Sequence, residues 1–123
     1  MLTLKFGGTS MGSAKRILDS VEIMIGRAKE DRISVIVSAV AGVSNSLQSA
    51  IDGCVTGGRA ATYVESIRKT HAEICSQIES QVKGFSAGET LKKIENNFVE
   101  LEKLLNGVAS FGECPSSIHC RIM

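Results

Sequence analysis

The sequence has 123 residues, enough for one domain with a modest core, and is 43% hydrophobic and 22% charged. Its 14 basic and 13 acidic residues leave a formal net charge of +1, and aromatics make up only 4%. That balance excludes the basic footprint of a nucleic-acid binder and the aromatic platforms that stack on bases.

No run approaches the ~18 consecutive apolar residues that a membrane span needs. The start, Met1-Leu2-Thr3-Leu4-Lys5, lacks the basic, apolar and small-residue order of a secretory leader, so the expected compartment is the cytoplasm and no membrane partner is expected. Cys54, Cys75, Cys114 and Cys120 form no CxxC pair, and His71 and His119 add no metal spacing. They read as reduced thiols, with no protein metal site.

In chain order, Leu2, Leu4 and Phe6 alternate with Thr3 and Lys5, which predicts a short strand. Gly7-Gly8-Thr9-Ser10 breaks it, since paired glycines allow backbone angles that other residues resist. A helix is predicted from about Ser13, its N-cap, to Lys29, with Ile17, Val21, Ile25 and Ala28 on one apolar face. Ile33-Ser34-Val35-Ile36-Val37 is a β-branched run of the kind found in buried parallel strands. Strand, helix and strand make a βαβ unit and predict an α/β fold with helices packed on a parallel sheet.

The rest reads helical. Leu47, Ile51 and Val55 are spaced by four and end at Gly57-Gly58. Tyr63, Ile67, His71, Ile74 and Ile78 mark a second helix closed near Gly84, with His71 read as a core or boundary residue. Leu91, Ile94, Phe98, Leu101 and Leu105 form a narrow apolar seam suited to an antiparallel helix pair, or alternatively to a partner.

Two turns carry candidate chemistry. A strand, Gly-Gly-Thr-Ser and a helix start is an arrangement that holds phosphate, because glycines let backbone N–H groups approach the oxygens. Lys5, near the strand's end, adds a full positive charge, although no GxxxxGK[ST] pattern occurs. A glycine turn without any ligand accounts for the same residues on spacing alone. The second turn, Ser38 to Asn45, places small side chains and hydroxyls at a strand's carboxyl end, where open α/β sheets bind ligands. Ser38 and Ser44 suit hydrogen bonds to a small polar substrate, and Ser44 or Asn45 suits the capping of the next helix.

Lys5-Phe6-Gly7-Gly8-Thr9-Ser10 resembles the opening signature of the aspartokinases, in the amino-acid kinase superfamily. Val37-Ser38-Ala39 with Ala41-Gly42-Val43-Ser44-Asn45 resembles that family's serine turn, and Ser110-Phe111-Gly112-Glu113 its serine-x-glycine-glutamate element. The resemblance spans about residues 2 to 117, in matching order and spacing. It implies a three-layer α/β/α sandwich around a mainly parallel sheet, of which residues 1–123 would be the N-terminal part of the catalytic domain.

It also implies transfer of the ATP γ-phosphoryl group to the side-chain carboxylate of L-aspartate, the first step towards lysine, threonine and methionine, with Mg2+ arriving on the nucleotide. By the same resemblance, Lys5 neutralises the transferring phosphoryl group. Gly7, Gly8, Thr9 and Ser10 hold ATP phosphate, and Ser38, Ser44 and Glu113 contact aspartate.

The sequence departs from the family after Glu113, where Cys114-Pro115-Ser116-Ser117 is polar for a segment expected to be buried. The family's glycine-glycine-serine-aspartate element, adenine segment and regulatory ACT domains are not in the sequence. A truncated or split aspartokinase is therefore expected, inactive unless a complementing chain or a homo-oligomer completes it. The alternative is a non-catalytic remnant or partner-binding α/β module. Two strands and four helices also predict a sheet with unpaired edges and uncovered apolar faces.

Overall fold

A computed structural model describes residues 1–123. It begins with strand β1 (Leu2–Phe6), a 3-10 turn over Gly8–Met11, helix α1 (Ala14–Ala28) and strand β2 (Ile33–Val37). Helices α2 (Val43–Val55), α3 (Ala60–Gln81), α4 (Ala87–Phe111) and α5 (Ser116–Ile122) follow. The strands pair in parallel, from Leu2 opposite Ile33 to Phe6 opposite Val37. The βαβ unit read from the sequence is present, and α1 starts as expected: the Ser13 hydroxyl accepts from the Arg16 N–H at 3.2 Å.

The sheet has two strands only, so the chain is an α/β unit joined to a helical cluster. The main hydrophobic core lies in that cluster, apart from the buried Met11 and Ala14. It is built from Val43, Ala50, Ile51 and Cys54 of α2, Ala60, Val64 and Ile67 of α3, Phe98, Leu105 and Val108 of α4, and Ile122 of α5. The α4 seam is thus used inside the chain, against α2 and α3. Leu105 is fully buried, and truncating it to alanine would cost about 2–5 kcal/mol through the cavity left behind.

Helices α3 and α4 run antiparallel across the short Val82–Ser86 link. The link is tied by the Glu79 carboxylate, which accepts from the Ala87 N–H at 2.6 Å. His71 sits at the boundary: its Nδ1–H donates to the Ile67 carbonyl at 2.8 Å, and its ring meets Phe98 edge-on at 5.7 Å.

Two expectations are corrected here. The apolar face of α1 is not fully packed on the sheet, because Val21 is 36% exposed and Ile25 52%, whereas the open edge and exposed side chains of β2 are as expected. The helical repeat identified the face, but a two-stranded sheet is too narrow to bury it. The polar-looking tail is also not idle: α5 packs against α4, with Ile122 in the core and a hydrogen bond of 2.9 Å between His119 Nε2 and Gln48 Oε1 of α2. No helix is long and apolar enough to cross a membrane.

Candidate functional site

The two turns picked out in the sequence leave the same end of the parallel ladder. Ser38 donates its N–H to the Phe6 carbonyl at 3.0 Å, so pairing continues one residue past β2 and fixes the roots of both turns. Lys5 is the penultimate residue of β1, opposite Ile36. Strand alternation puts its side chain on the sheet face opposite Leu4 and Phe6. It is exposed and takes part in none of the ion pairs.

In the first turn, Gly7 has φ −81° and ψ −178°, an ordinary extended conformation, and Gly8 likewise has no positive φ. The expectation that these glycines relieve forbidden backbone angles is therefore corrected. What they provide is room: nothing lies within 4 Å of a β-carbon built on Gly7. No side chain caps the 3-10 turn that follows, so its first N–H groups remain available to an anion.

That turn is anchored from beneath. Met11 is 7% exposed, and the buried Ser20 hydroxyl reaches the Arg16 carbonyl at 2.9 Å and the Ser10 carbonyl at 3.4 Å.

The second turn packs against the first. A β-carbon on Gly8 would stand 3.7 Å from Ser38 Oγ, and one on Gly12 would stand 3.4 Å from the Ala41 β-carbon. Gly42, at φ +84°, is the N-cap residue of α2, and no side chain caps the helix. Ser44 and Asn45 lie within the first turn of α2, so the expectation that either caps it is corrected. A left-handed glycine reverses the chain here without a capping side chain. Both side chains are exposed.

Lys5, Gly7, Gly8, Thr9, Ser10 and Ser38 are therefore brought together, with Ser44 following on α2. Glu113 is not part of this group. It is exposed just beyond α4, which Gly112 ends at φ +70°. A β-carbon on Gly112 would lie 4.0 Å from the Val55 carbonyl, at the far end of α2 from Ser44. At ~1.5 Å per helical residue, that separation is roughly 16 Å.

Ser20 and Gly12 were not singled out in the sequence, although both shape the first turn. A buried serine in a helix and a glycine in a Gly-Ser pair have no local signature of that role.

Neither turn contains a carboxylate between Gly7 and Gly12 or between Ser38 and Ser46. One lysine, unpaired backbone donors and hydroxyls suit an anion such as phosphate, and any magnesium would arrive on the phosphates. A cavity of about 380 Å³ opens elsewhere, between α2, α3, α4 and α5. Its lining is mainly apolar, and its one arginine, Arg121, is already paired with Glu100.

No family model matches the chain. The chain is 27% identical over its full 123 residues to a bifunctional aspartokinase/homoserine dehydrogenase of Buchnera aphidicola subsp. Acyrthosiphon pisum, and covers 15% of that protein. It is 37% identical over 97 residues, 77% of its length, to an aspartokinase of Chlamydia trachomatis serovar D, and covers 21% of that protein. The similarity to aspartokinases read from the three motifs is thus matched by similarity over most or all of this chain, which spans only about a fifth or less of these relatives.

Proposed function

We propose that this chain, related in sequence to the aspartokinases, carries the phosphoryl-holding and acceptor-holding turns of an aspartokinase catalytic unit. In this reading it is the N-terminal part of that unit, and the βαβ element is one corner of a three-layer α/β/α domain. The activity is transfer of the ATP γ-phosphoryl group to the side-chain carboxylate of aspartate, giving aspartyl phosphate for amino-acid biosynthesis. The observation that carries the reading is the contact of the two turns at the carboxyl end of parallel strands, seen in the closeness of Gly8 and Ser38.

Catalysis of this kind depends on positioning and on neutralising charge. Lys5 carries the positive charge that the transferring group needs. The N–H groups at Gly7 and Gly8, with the hydroxyls of Thr9 and Ser10, hold phosphate oxygens. Ser38 and Ser44 orient the aspartate, whose carboxylate attacks phosphorus directly, without a covalent enzyme intermediate. Glu113, as acceptor for the aspartate amino group, rests on the family resemblance alone, because it lies at the other end of α2. Magnesium, bound to the nucleotide, supplies further charge neutralisation.

A chain that spans a fifth of its relatives performs this reaction as part of a completed unit. The reading of α4 as a partner-binding seam loses its basis, since Phe98 and Leu105 are used in the core.

The test is titration of the purified chain with ATP and magnesium, beside trapping of aspartyl phosphate with hydroxylamine once the unit is completed. Replacing Lys5→Ala should weaken ATP binding by about 10- to 100-fold, the worth of a charge-assisted hydrogen bond of roughly 1.5–3 kcal/mol. It should also abolish hydroxamate formation. Equal ATP affinity in the two proteins would sink the proposal.

A further inference from the structure

We infer that the cavity between α2, α3, α4 and α5 is a binding site for a small uncharged molecule, apolar over most of its surface and carrying one N–H or O–H donor. The site lies apart from the two turns after β1 and β2, and it stands or falls independently of the kinase reading.

The size of the cavity is the first observation. Protein interiors are close-packed, and voids larger than a water molecule are few. This one measures about 380 Å³, at the small end of the ~300–1,000 Å³ common in ligand sites. Its back wall is core: Val43, Ile67, Phe98 and Ile122 line it, and each is between 4% and 9% exposed. Each of the four helices thus supplies one buried residue, so the walls are fixed by the packing of the helices themselves. Water finds few partners on such a lining, and an apolar group that displaces poorly bonded water gains affinity. A single turn of helix with its side chains, about 10–12 Å across and 5.4 Å long, already exceeds this space. A docked helix is therefore a poorer fit than a small molecule.

The polar groups of the lining define the rest of the ligand. Arg121 and Glu100 supply one charge of each sign and are paired with each other, so no net charge is left to hold an ionised group. His71 is different. Its Nδ1 lies 2.8 Å from the Ile67 carbonyl oxygen, which can only accept, so Nδ1 carries the hydrogen and the neutral ring keeps a lone pair on Nε2. That nitrogen makes no hydrogen bond within the chain, and the ring is held edge-on to Phe98 at 5.7 Å. A ligand N–H or O–H is the group that Nε2 can receive.

The experiment is titration of the purified chain with indole, which has an apolar body and one N–H donor, followed by methyl resonances. Indene, nearly the same shape without the N–H, is the comparison. The expected result is saturable binding with a Kd of about 0.1–1 mM, ordinary for a ligand of so few atoms, and shifts at the Leu47, Leu101 and Leu104 methyls. His71→Phe keeps a ring against Phe98 but removes Nε2. It should lower the preference for indole over indene by about 2- to 10-fold, the worth of one neutral hydrogen bond. Leu101→Trp fills the space and should abolish binding of both while keeping the circular dichroism of the parent. His71→Phe leaves the volume nearly unchanged, so the test remains decisive if the tryptophan variant does not fold.

No saturable indole binding, or shifts confined to the exposed Val21, Ile23 and Ile25 of α1, would overturn the inference. An indole preference untouched by His71→Phe, or indole affinity undiminished in a folded Leu101→Trp protein, has the same meaning. Shifts of the Leu47 and Leu101 methyls on raising the protein concentration without indole would also sink it, because a side chain of a second copy would then be the occupant.

Discussion

A β-carbon built on Gly8 would stand 3.7 Å from the hydroxyl oxygen of Ser38, which makes the turn after β1 and the turn after β2 two sides of one gap. The distance is ordinary van der Waals contact, and Gly8 has no positive φ. Gly8→Ala should therefore leave stability within about 0.5 kcal/mol of the parent. Its methyl group would occupy the gap, and ATP affinity should fall about tenfold, or roughly 1.4 kcal/mol. Gly12→Ala should behave in the opposite way. Its β-carbon would meet the Thr9 carbonyl at 3.2 Å and Ala41 at 3.4 Å, an overpacking worth about 1–3 kcal/mol in urea unfolding. Undiminished ATP binding by the Gly8→Ala protein would place the phosphate outside the gap.

The four cysteines are free thiols, with Cys54 and Cys75 buried and Cys120 exposed. Burial raises the pKa of Cys54 and Cys75 above the ordinary thiol value of 9.0, because the thiolate loses its hydration. The folded state therefore holds these protons more tightly than the unfolded chain does. The resulting stability is fully present below pH 9.0 and is lost as pH rises through the higher folded values. Urea midpoints should fall on raising the pH from 8 to 10, and less steeply in a Cys54→Ala, Cys75→Ala protein. Iodoacetamide at pH 8 should label Cys120 well before either buried thiol. Early labelling of Cys54 would contradict the burial.

Much of this architecture was legible because it follows from local rules. The alternation of Leu2, Leu4 and Phe6, the β-branched run from Ile33 to Val37 and the Ser13 cap each depend on only a few neighbouring residues. The seam from Leu91 to Leu105 was equally plain, since its repeat matches the helix. The misreadings arose where distant chain decides. Gly42 rather than Ser44 or Asn45 takes the N-cap position, because the chain must reverse after β2. The run Ser116–Ile122 looks polar, but one isoleucine of its short helix suffices to enter the core. In the candidate site, chemical groups could be read from the sequence, but the buried support of Ser20 under Ser10 could not.

Arg68 of α3 makes three contacts, two of which cross to α4. Its guanidinium reaches Glu65 at 2.8 Å and Glu95 at 2.9 Å, and lies 5.4 Å from the centre of the Phe98 ring. Hydrogen bonding to Glu65, above all, raises its pKa further. Both carboxylates are largely in water, so each ion pair is worth ~0–1 kcal/mol. The stacked cation adds about 0.5–1 kcal/mol. Glu95→Gln should then cost less than about 1 kcal/mol, and 0.5 M salt should erase most of the difference. Arg68→Lys keeps the charge but loses the planar stack, and its cost should survive salt. Urea unfolding at low and high salt separates the two. An Arg68→Lys cost that vanished in salt would show the ion pairs, and not Phe98, to be what Arg68 supplies.

Near the end of α2, a β-carbon on Gly53 would fall 1.9 Å from the Tyr63 hydroxyl oxygen and 2.5 Å from its Cζ. The Gly53 carbonyl also accepts from the Gly58 N–H at 2.8 Å, so the turn into α3 closes over this position. Alanine is otherwise the better helix residue, by about 1 kcal/mol. Gly53→Ala must push the Tyr63 ring aside, and should lower stability by about 1–3 kcal/mol despite that preference. In a Tyr63→Ala background the obstacle is gone, and the same change should become neutral or stabilising. The sign reversal across a double-mutant cycle in urea is the measurement. An equal cost in both backgrounds would mean that the ring of Tyr63 is not what dictates glycine here.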